Sequence, residues 1–263
     1  MRIFLAALSL LLVARCGQPA ALTPPAALPT ASLAPAVAAT QTIFIAKTGT
    51  IAIDIDTIDV RSPGPDSVLT SPIQLHATLA GGAMDHAEVS LLDASGRILA
   101  RQVLPVVDSS LHVSLPFEIS RSPQPARLVL RTQDAYGRTQ ALRSLAVTLL
   151  AEGSPSLHAP EERPALQLSQ PSAGQSLSSG RILIQGDSAG TQPLSITAIG
   201  RNGRVLAAGS VYPQPTASGA NAFATSLALT VSEPTWVQIA LSEYAAAGEM
   251  PTRFIAVEVL LLP

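Results

Sequence analysis

Residues 91–100 read LLDASGRILA, and residues 198–207 read AIGRNGRVLA. Each phrase passes from apolar residues into a polar turn, sets a glycine where the backbone bends, and leaves through an arginine into a second apolar run. In the first, Asp93 and Gly96 suit the first and last positions of a type I turn. In the second, the Asn202-Gly203 pair suits the positive φ of a type I′ hairpin. Two matching hairpins about one small domain apart point to duplication of a whole unit. The flanks repeat in the same order: LHVSLPFEI (111–119) with FATSLALTV (223–231), LVLRTQDAY (128–136) with VQIALSEYA (237–245), and LRSLAVTLL (142–150) with FIAVEVLLL (254–262). Pro63 and Ser71 find counterparts in Pro171 and Ser179 at the same offset.

Within each copy the apolar residues recur every second position, as at Leu111, Val113, Leu115, Phe117 and Ile119, or Leu227, Leu229 and Val231. That period belongs to strands with one buried face, and turn residues separate the runs every 8–15 residues or so. Helical periodicity is missing outside the N-terminal apolar run, which disfavours a βα architecture. The expected fold class is all-β, two tandem immunoglobulin-like β-sandwiches of about seven strands each. Hydrophobic residues make up 47% of the chain but aromatics only 3%, so the cores should be aliphatic. The expected boundaries are 42–150 for the first sandwich, 151–164 for a linker (AEGSPSLHAPEERP) and 165–263 for the second sandwich.

The chain opens MRIFLAALSLLLVARCG. Its apolar run of about 12 residues is too short to span a bilayer and suits the apolar centre of a secretory signal, expected over residues 1–16. The stretch LVARCG, with Leu12, Val13, Ala14 and Cys16, resembles the lipobox of bacterial lipoproteins, although Arg15 stands where that family has a small residue. The resemblance implies that Cys16 carries diacylglycerol and tethers the protein to the outer side of a membrane, in the bacterial cell envelope. Residues 17–41 are uncharged and rich in proline and alanine, the composition of an extended disordered tether. Cys16 is the sole cysteine, so no intramolecular disulfide staples either sandwich.

VLTSPIQL followed by LLDASGRILA, and LSSGRILI followed by AIGRNGRVLA, are similar to the immunoglobulin-like domain of bacterial spore-germination and sporulation proteins. The similarity covers residues 58–150 and 165–262. It implies an extracytoplasmic module and brings no catalytic residues with it.

No motif for catalysis stands out. There is no Gly-x-Ser-x-Gly elbow and no phosphate-cradling glycine loop, and Lys47 is the one lysine. A net charge of −2 offers nothing to a phosphate backbone, so nucleic acid is not an expected partner. Asp54, Asp56 and Asp59 read as solvated strand acids rather than a calcium loop. His76, His86, His112 and His158 fall in four separate segments, and MDHAE (84–88) reads as a solvated loop entering a strand, so no metal or cofactor is expected. Trp236 falls on the side of its strand opposite Val237, Ile239 and Leu241, with Gln238, where it would cover a joint or bind a ligand. The expectation is a non-catalytic, membrane-tethered extracytoplasmic protein. Its sandwiches would serve adhesion, envelope organisation or assembly with other exported proteins. The alternative is a glycan or small-ligand receptor using the loops near Trp236.

Overall fold

A computed structural model of the chain describes residues 57–81, 86–106, 109–160, 166–217, 221–245 and 250–263. Cys16, the 17–41 stretch and the acids Asp54 and Asp56 lie outside the described residues. The described residues form strands and turns and include no helix.

The first copy contributes β1 (Thr57–Ser62), β2 (Val68–Leu69), β3 (Ile73–Ala80), β4 (His86–Asp93), β5 (Ile98–Pro105), β6 (Ser110–Leu115), β7 (Gln124–Gln133) and β8 (Thr139–Leu149). The second contributes β9 (Leu166–Gln170), β10 (Ser176–Ser178), β11 (Gly180–Ser188), β12 (Leu194–Gly200), β13 (Val205–Val211), β14 (Gln214–Pro215), β15 (Asn221–Leu229), β16 (Thr235–Tyr244) and β17 (Pro251–Leu262). In the first sandwich β1-β3-β6 faces β5-β4-β7-β8, with β2 running parallel beside the end of β8. In the second β9-β11-β15 faces β13-β12-β16-β17, with β10 parallel beside the end of β17 and β14 added to β15. The two connectivities are the same strand for strand, apart from β14. This is an all-β fold of two tandem immunoglobulin-like sandwiches. The short parallel strands β2 and β10 escape a sequence reading because two or three residues show no period.

Alternation fills the space between the sheets. β3 buries Ile73, Leu75, Ala77 and Leu79 and turns Gln74 and His76 outward; β11 does likewise with Ile182, Ile184 and Gly186. The two cores are separate and aliphatic, with one buried phenylalanine in each, Phe117 and Phe223. One pair shows how the copies diverged without losing packing. Ala77 lies opposite Leu111, and the corresponding Gly186 lies opposite Phe223. A β-carbon added at Gly186 would come within 2.7 Å of the Phe223 ring and would collide with the Gln167 carbonyl. The larger ring therefore requires the smaller partner, because a close-packed interior has no spare volume.

The segment expected to be a linker is docked where it is described. Val68 and Ser156 exchange backbone hydrogen bonds of 2.8 and 2.9 Å. The His158 amide donates to Ser67 Oγ at 2.9 Å, and Gly64 lies tight against the backbone of His158 and Ala159. Residues 156–159 thus run along the first sandwich.

The two larger sheets are one sheet. The first residues of β8 pair antiparallel with β17, Ala141 with Ile255, Leu142 with Phe254 and Arg143 with Arg253. Leu142 and Phe254 occupy equivalent places in the two copies, so a local two-fold axis runs through that pair.

Gly186→Ala should lower unfolding stability by about 1–3 kcal/mol through overpacking. Adding Phe223→Leu should recover part of the loss, since it relieves the ring and leaves the Gln167 carbonyl in place. Urea denaturation of both variants measures this, and an additive double variant would contradict it.

Candidate functional site

Three turns share one construction. In residues 93–97 the Gly96 amide donates to the Asp93 carbonyl and the Asp93 amide to the Arg97 carbonyl, both at 2.9 Å, with Gly96 at φ 82°. Residues 200–204 repeat this through Gly200, Gly203 and Arg204, with Gly203 at φ 77°. Asn202 does not share the positive φ, so the type I′ expectation is corrected. The chain makes a type I turn followed by a glycine bulge, and the Asn202 side-chain oxygen accepts the Arg204 amide at 3.0 Å. The third turn, Asp134 to Arg138, passes unnoticed in the sequence even though DAYGR echoes DASGR. Gly137 sits at φ 75°, and Asp134 Oδ1 accepts the amides of Tyr136 and Arg138 at 2.9 Å. In the first turn the Ser95 hydroxyl, with the Arg97 and Ser95 amides, pulls the Asp93 carboxyl down to about 2.

The second and third turns meet at the joint and build the densest polar cluster there. Glu258 of β17 accepts Arg201 in a fork, Nε at 2.9 Å and the terminal nitrogen at 2.8 Å, and accepts Arg138 at 2.8 Å. Arg138 also donates to Asp134 at 2.7 Å. The Arg201 guanidinium lies 4.9 Å from the Trp236 ring centre and 5.0 Å from that of Tyr136, and Arg138 covers Tyr136 at 5.3 Å. Gln238 is buried and donates to the Thr139 carbonyl at 2.9 Å. The fork from Arg201, reinforced by Arg138, holds the Glu258 carboxyl below the ordinary carboxylate range despite its partial burial. Arg138 thus bridges the two sandwiches by charge, and Arg201 bridges them by ring contact.

Trp236 is half-buried in this cluster, and Gln238, expected outward, is enclosed by the first sandwich. The opposite flank of the two-fold is built differently. Strand register moves the sequence match of 128–136 with 237–245 by two residues, since Leu91 pairs with Leu128 and its equivalent Ala198 with Ile239. Pro125, Arg127 and Ala146 therefore stand where the second copy has Trp236, Gln238 and Glu258, and with the 93–96 turn and Met250 they line an open cavity of about 550 Å³.

His86 opens β4 and is exposed. Glu88 is not solvated, as MDHAE suggested, but buried at 8% exposure. Burial would raise its carboxyl, yet hydrogen bonds from Arg101 (2.8 Å), Arg131 (2.6 Å) and Ser90 (2.9 Å) outweigh that and hold it low. Asp59 pairs with Arg61 at 2.8 Å. The histidines are not all scattered: His76 and His112 face each other across β3 and β6, a contact invisible until register is known. Among the described residues no group of three or more His, Cys, Asp or Glu could hold a metal ion.

No protein-family model matches the chain, and no curated protein does. Among solved structures it is similar to CopC from Methylosinus trichosporium OB3b at 14% identity, over 38% of this chain and 97% of that one, with a TM-score of 0.30. It is similar to fibronectin(III)-like modules of Clostridium thermocellum CbhA at 8% identity, over 78% and 93%, with a TM-score of 0.25. It is also similar to a mutant of the enterotoxigenic E. coli adhesin CfaE at 10% identity, over 81% and 88%, with a TM-score of 0.23. Likenesses this distant carry no functional argument.

A carboxyl held below its ordinary 4.5 stabilises the fold fully above that pH and loses the contribution as pH falls through its folded value. The protection of the Ala141–Arg143 and Arg253–Ile255 amides against exchange, each taken relative to its intrinsic rate at that pH, should therefore fall below about pH 4.5. Glu258→Gln should speed exchange at neutral pH, by a local loss of about 2 kcal/mol, and flatten the acid response. Unchanged exchange in that variant would show the cluster to be decoration.

Proposed function

We propose that this chain is a non-catalytic, surface-tethered extracytoplasmic protein whose duplicated sandwiches form one stiff assembly module. The observation that carries the reading is the joint. Two sandwiches that share a sheet and a Glu258-centred lock hold a fixed mutual geometry, which suits a scaffold presenting its ends to other exported or envelope proteins. The ends of the shared sheet are β5 and β13. β5 carries Arg101 and ends in Pro105, residues that blunt an edge; β13 has no charged residue and exposes Val205 and Leu206. An extended strand of a partner protein adding to β13 is the assembly mode this supports. Tethering through a lipidated Cys16 and the 17–41 stretch, and kinship with sporulation and germination modules, belong to the same proposal.

In the receptor reading, Trp236 would stack on a glycan or small ligand. Arg201 already occupies one of its ring faces, which favours the joint role.

Palmitate labelling in a bacterial host tests the tether: the chain should take up label and Cys16→Ser should not. Val205→Lys, at an exposed edge position, should abolish co-purification of the envelope partner while changing stability by no more than about 0.5 kcal/mol. Trp236→Ala should loosen the joint. If it instead removed binding to cell-wall glycan and left exchange at the joint untouched, the receptor reading would replace this one.

A further inference from the structure

The outer face of β1-β3-β6 carries a pair of side chains that the fold does not need. His76 and His112 lie directly opposite each other in the β3–β6 ladder, with ring centres 4.5 Å apart and planes inclined at 59°. Both are exposed, and neither ring makes a hydrogen bond among the described residues. The second sandwich is an internal control: at the equivalent positions of β11 and β15 stand Gln185 and Ala224, themselves a cross-strand pair. The same scaffold closes without imidazoles there, so packing does not account for them.

We propose that His76 and His112 form a two-imidazole site for a divalent transition cation of the Cu2+, Ni2+ and Zn2+ class. With metal–nitrogen bonds of about 2.0–2.1 Å, two imidazoles meeting one ion at roughly 90–110° have ring centres about 4.5–5 Å apart, which is the separation found here. Exposed rings turn about their second side-chain torsion at little cost, so both nitrogens reach a common point above the sheet. The strands fix the two β-carbons, which removes much of the ordering entropy that a pair of histidines on a loop would lose. Around the pair the face is small and polar: Gln74 donates to Ser114 at 3.1 Å on one side, and Thr78 lies opposite Ser110 on the other. Such surroundings leave room for water to complete the coordination. Asp59 on β1 is opposite Thr78 and engaged by Arg61, so a carboxylate stands near the cation without joining the pair. Imidazole nitrogen selects borderline ions over Mg2+ and Ca2+, and affinity should rise from Ni2+ to Cu2+. Two protein ligands make an exchangeable site rather than a structural one.

The test is calorimetric titration of the full chain with NiCl2, with CuCl2 and MgCl2 in parallel. His76→Gln and His112→Ala install the residues the second copy already tolerates, so both variants should fold. Expected are a Ni2+ event of one ion per chain, tighter binding of Cu2+, none of Mg2+, and a rise in melting temperature with Ni2+. Each single variant should weaken that event by roughly tenfold or more. The double variant should be little worse than either, because a chelate fails when one arm is lost. Full Ni2+ affinity in either single variant, or additive losses as from two independent histidines, would overturn the site. Failure of the unaltered chain to bind Ni2+ or Cu2+ would do so as well.

Discussion

Backbone pairing between Ala141–Arg143 and Arg253–Ile255 organises the rest of the molecule. A sandwich of this kind leaves its last strand half covered. In the first copy β2 satisfies only the end of β8, at Thr148 and Leu149, and in the second β10 satisfies only the end of β17, from Leu260 to Leu262. The exposed halves present unpaired amides and carbonyls, an edge that folding must cover or leave to water. Duplication supplies a complementary edge in the same chain. Because the two edges derive from one sequence, they pair antiparallel about an axis through Leu142 and Phe254, as the identical edges of a two-fold dimer would. The pairing also sets Arg143 opposite Arg253, and Glu243, at 2.8 Å from Arg253, offsets the like charge.

That axis is broken by side chains. On one flank Glu258 accepts Arg138, Gln238 donates to the Thr139 carbonyl, and Trp236 lies against Arg201, which also contacts Tyr136 of the 134–138 turn. Their counterparts Ala146, Arg127 and Pro125 line a cavity instead. A symmetric joint would rest on backbone pairing alone. The asymmetric one adds a lock in which Arg138 of the first sandwich reaches Glu258 of the second only when both are in place. Most of the cluster's side chains come from the second copy and only the 134–138 turn from the first, so the geometry of the joint depends on one five-residue loop.

Much of the fold was legible because its causes are local and periodic. Alternation at 111–119 marks β6 and the residues after it, the repeated glycine-arginine turn marks the hairpins, and scarce aromatics mark aliphatic cores. The joint was not legible, since a strand edge pairs through backbone atoms that every residue carries. Glu88 reads in the sequence as part of a solvated loop. Burial reverses that reading, because a carboxylate leaves water only where arginines meet it. Trp236 was correctly set apart from the core face of its strand, but that face meets another sandwich rather than solvent. The 134–138 turn could have been found, its DAYGR differing from DASGR by one residue.

A duplicated chain separates what folding requires from what it permits. Where both copies keep a feature, the constraint is structural. Ser71 accepts the Phe117 amide at 3.0 Å and Ser179 accepts the Val231 amide at 3.2 Å, the same tie at the same corner of each sandwich. Where the copies exchange volume, as Ala77 with Leu111 becomes Gly186 with Phe223, the sum is held and the residues are free. Where one copy carries a chemical group that the other replaces by an inert one at the same scaffold position, packing cannot be the reason for it. His76 with His112 meets that condition on the outer sheet, and Glu258 meets it at the joint, with Ala146 as its counterpart. Function in this chain is therefore to be sought where the two halves disagree.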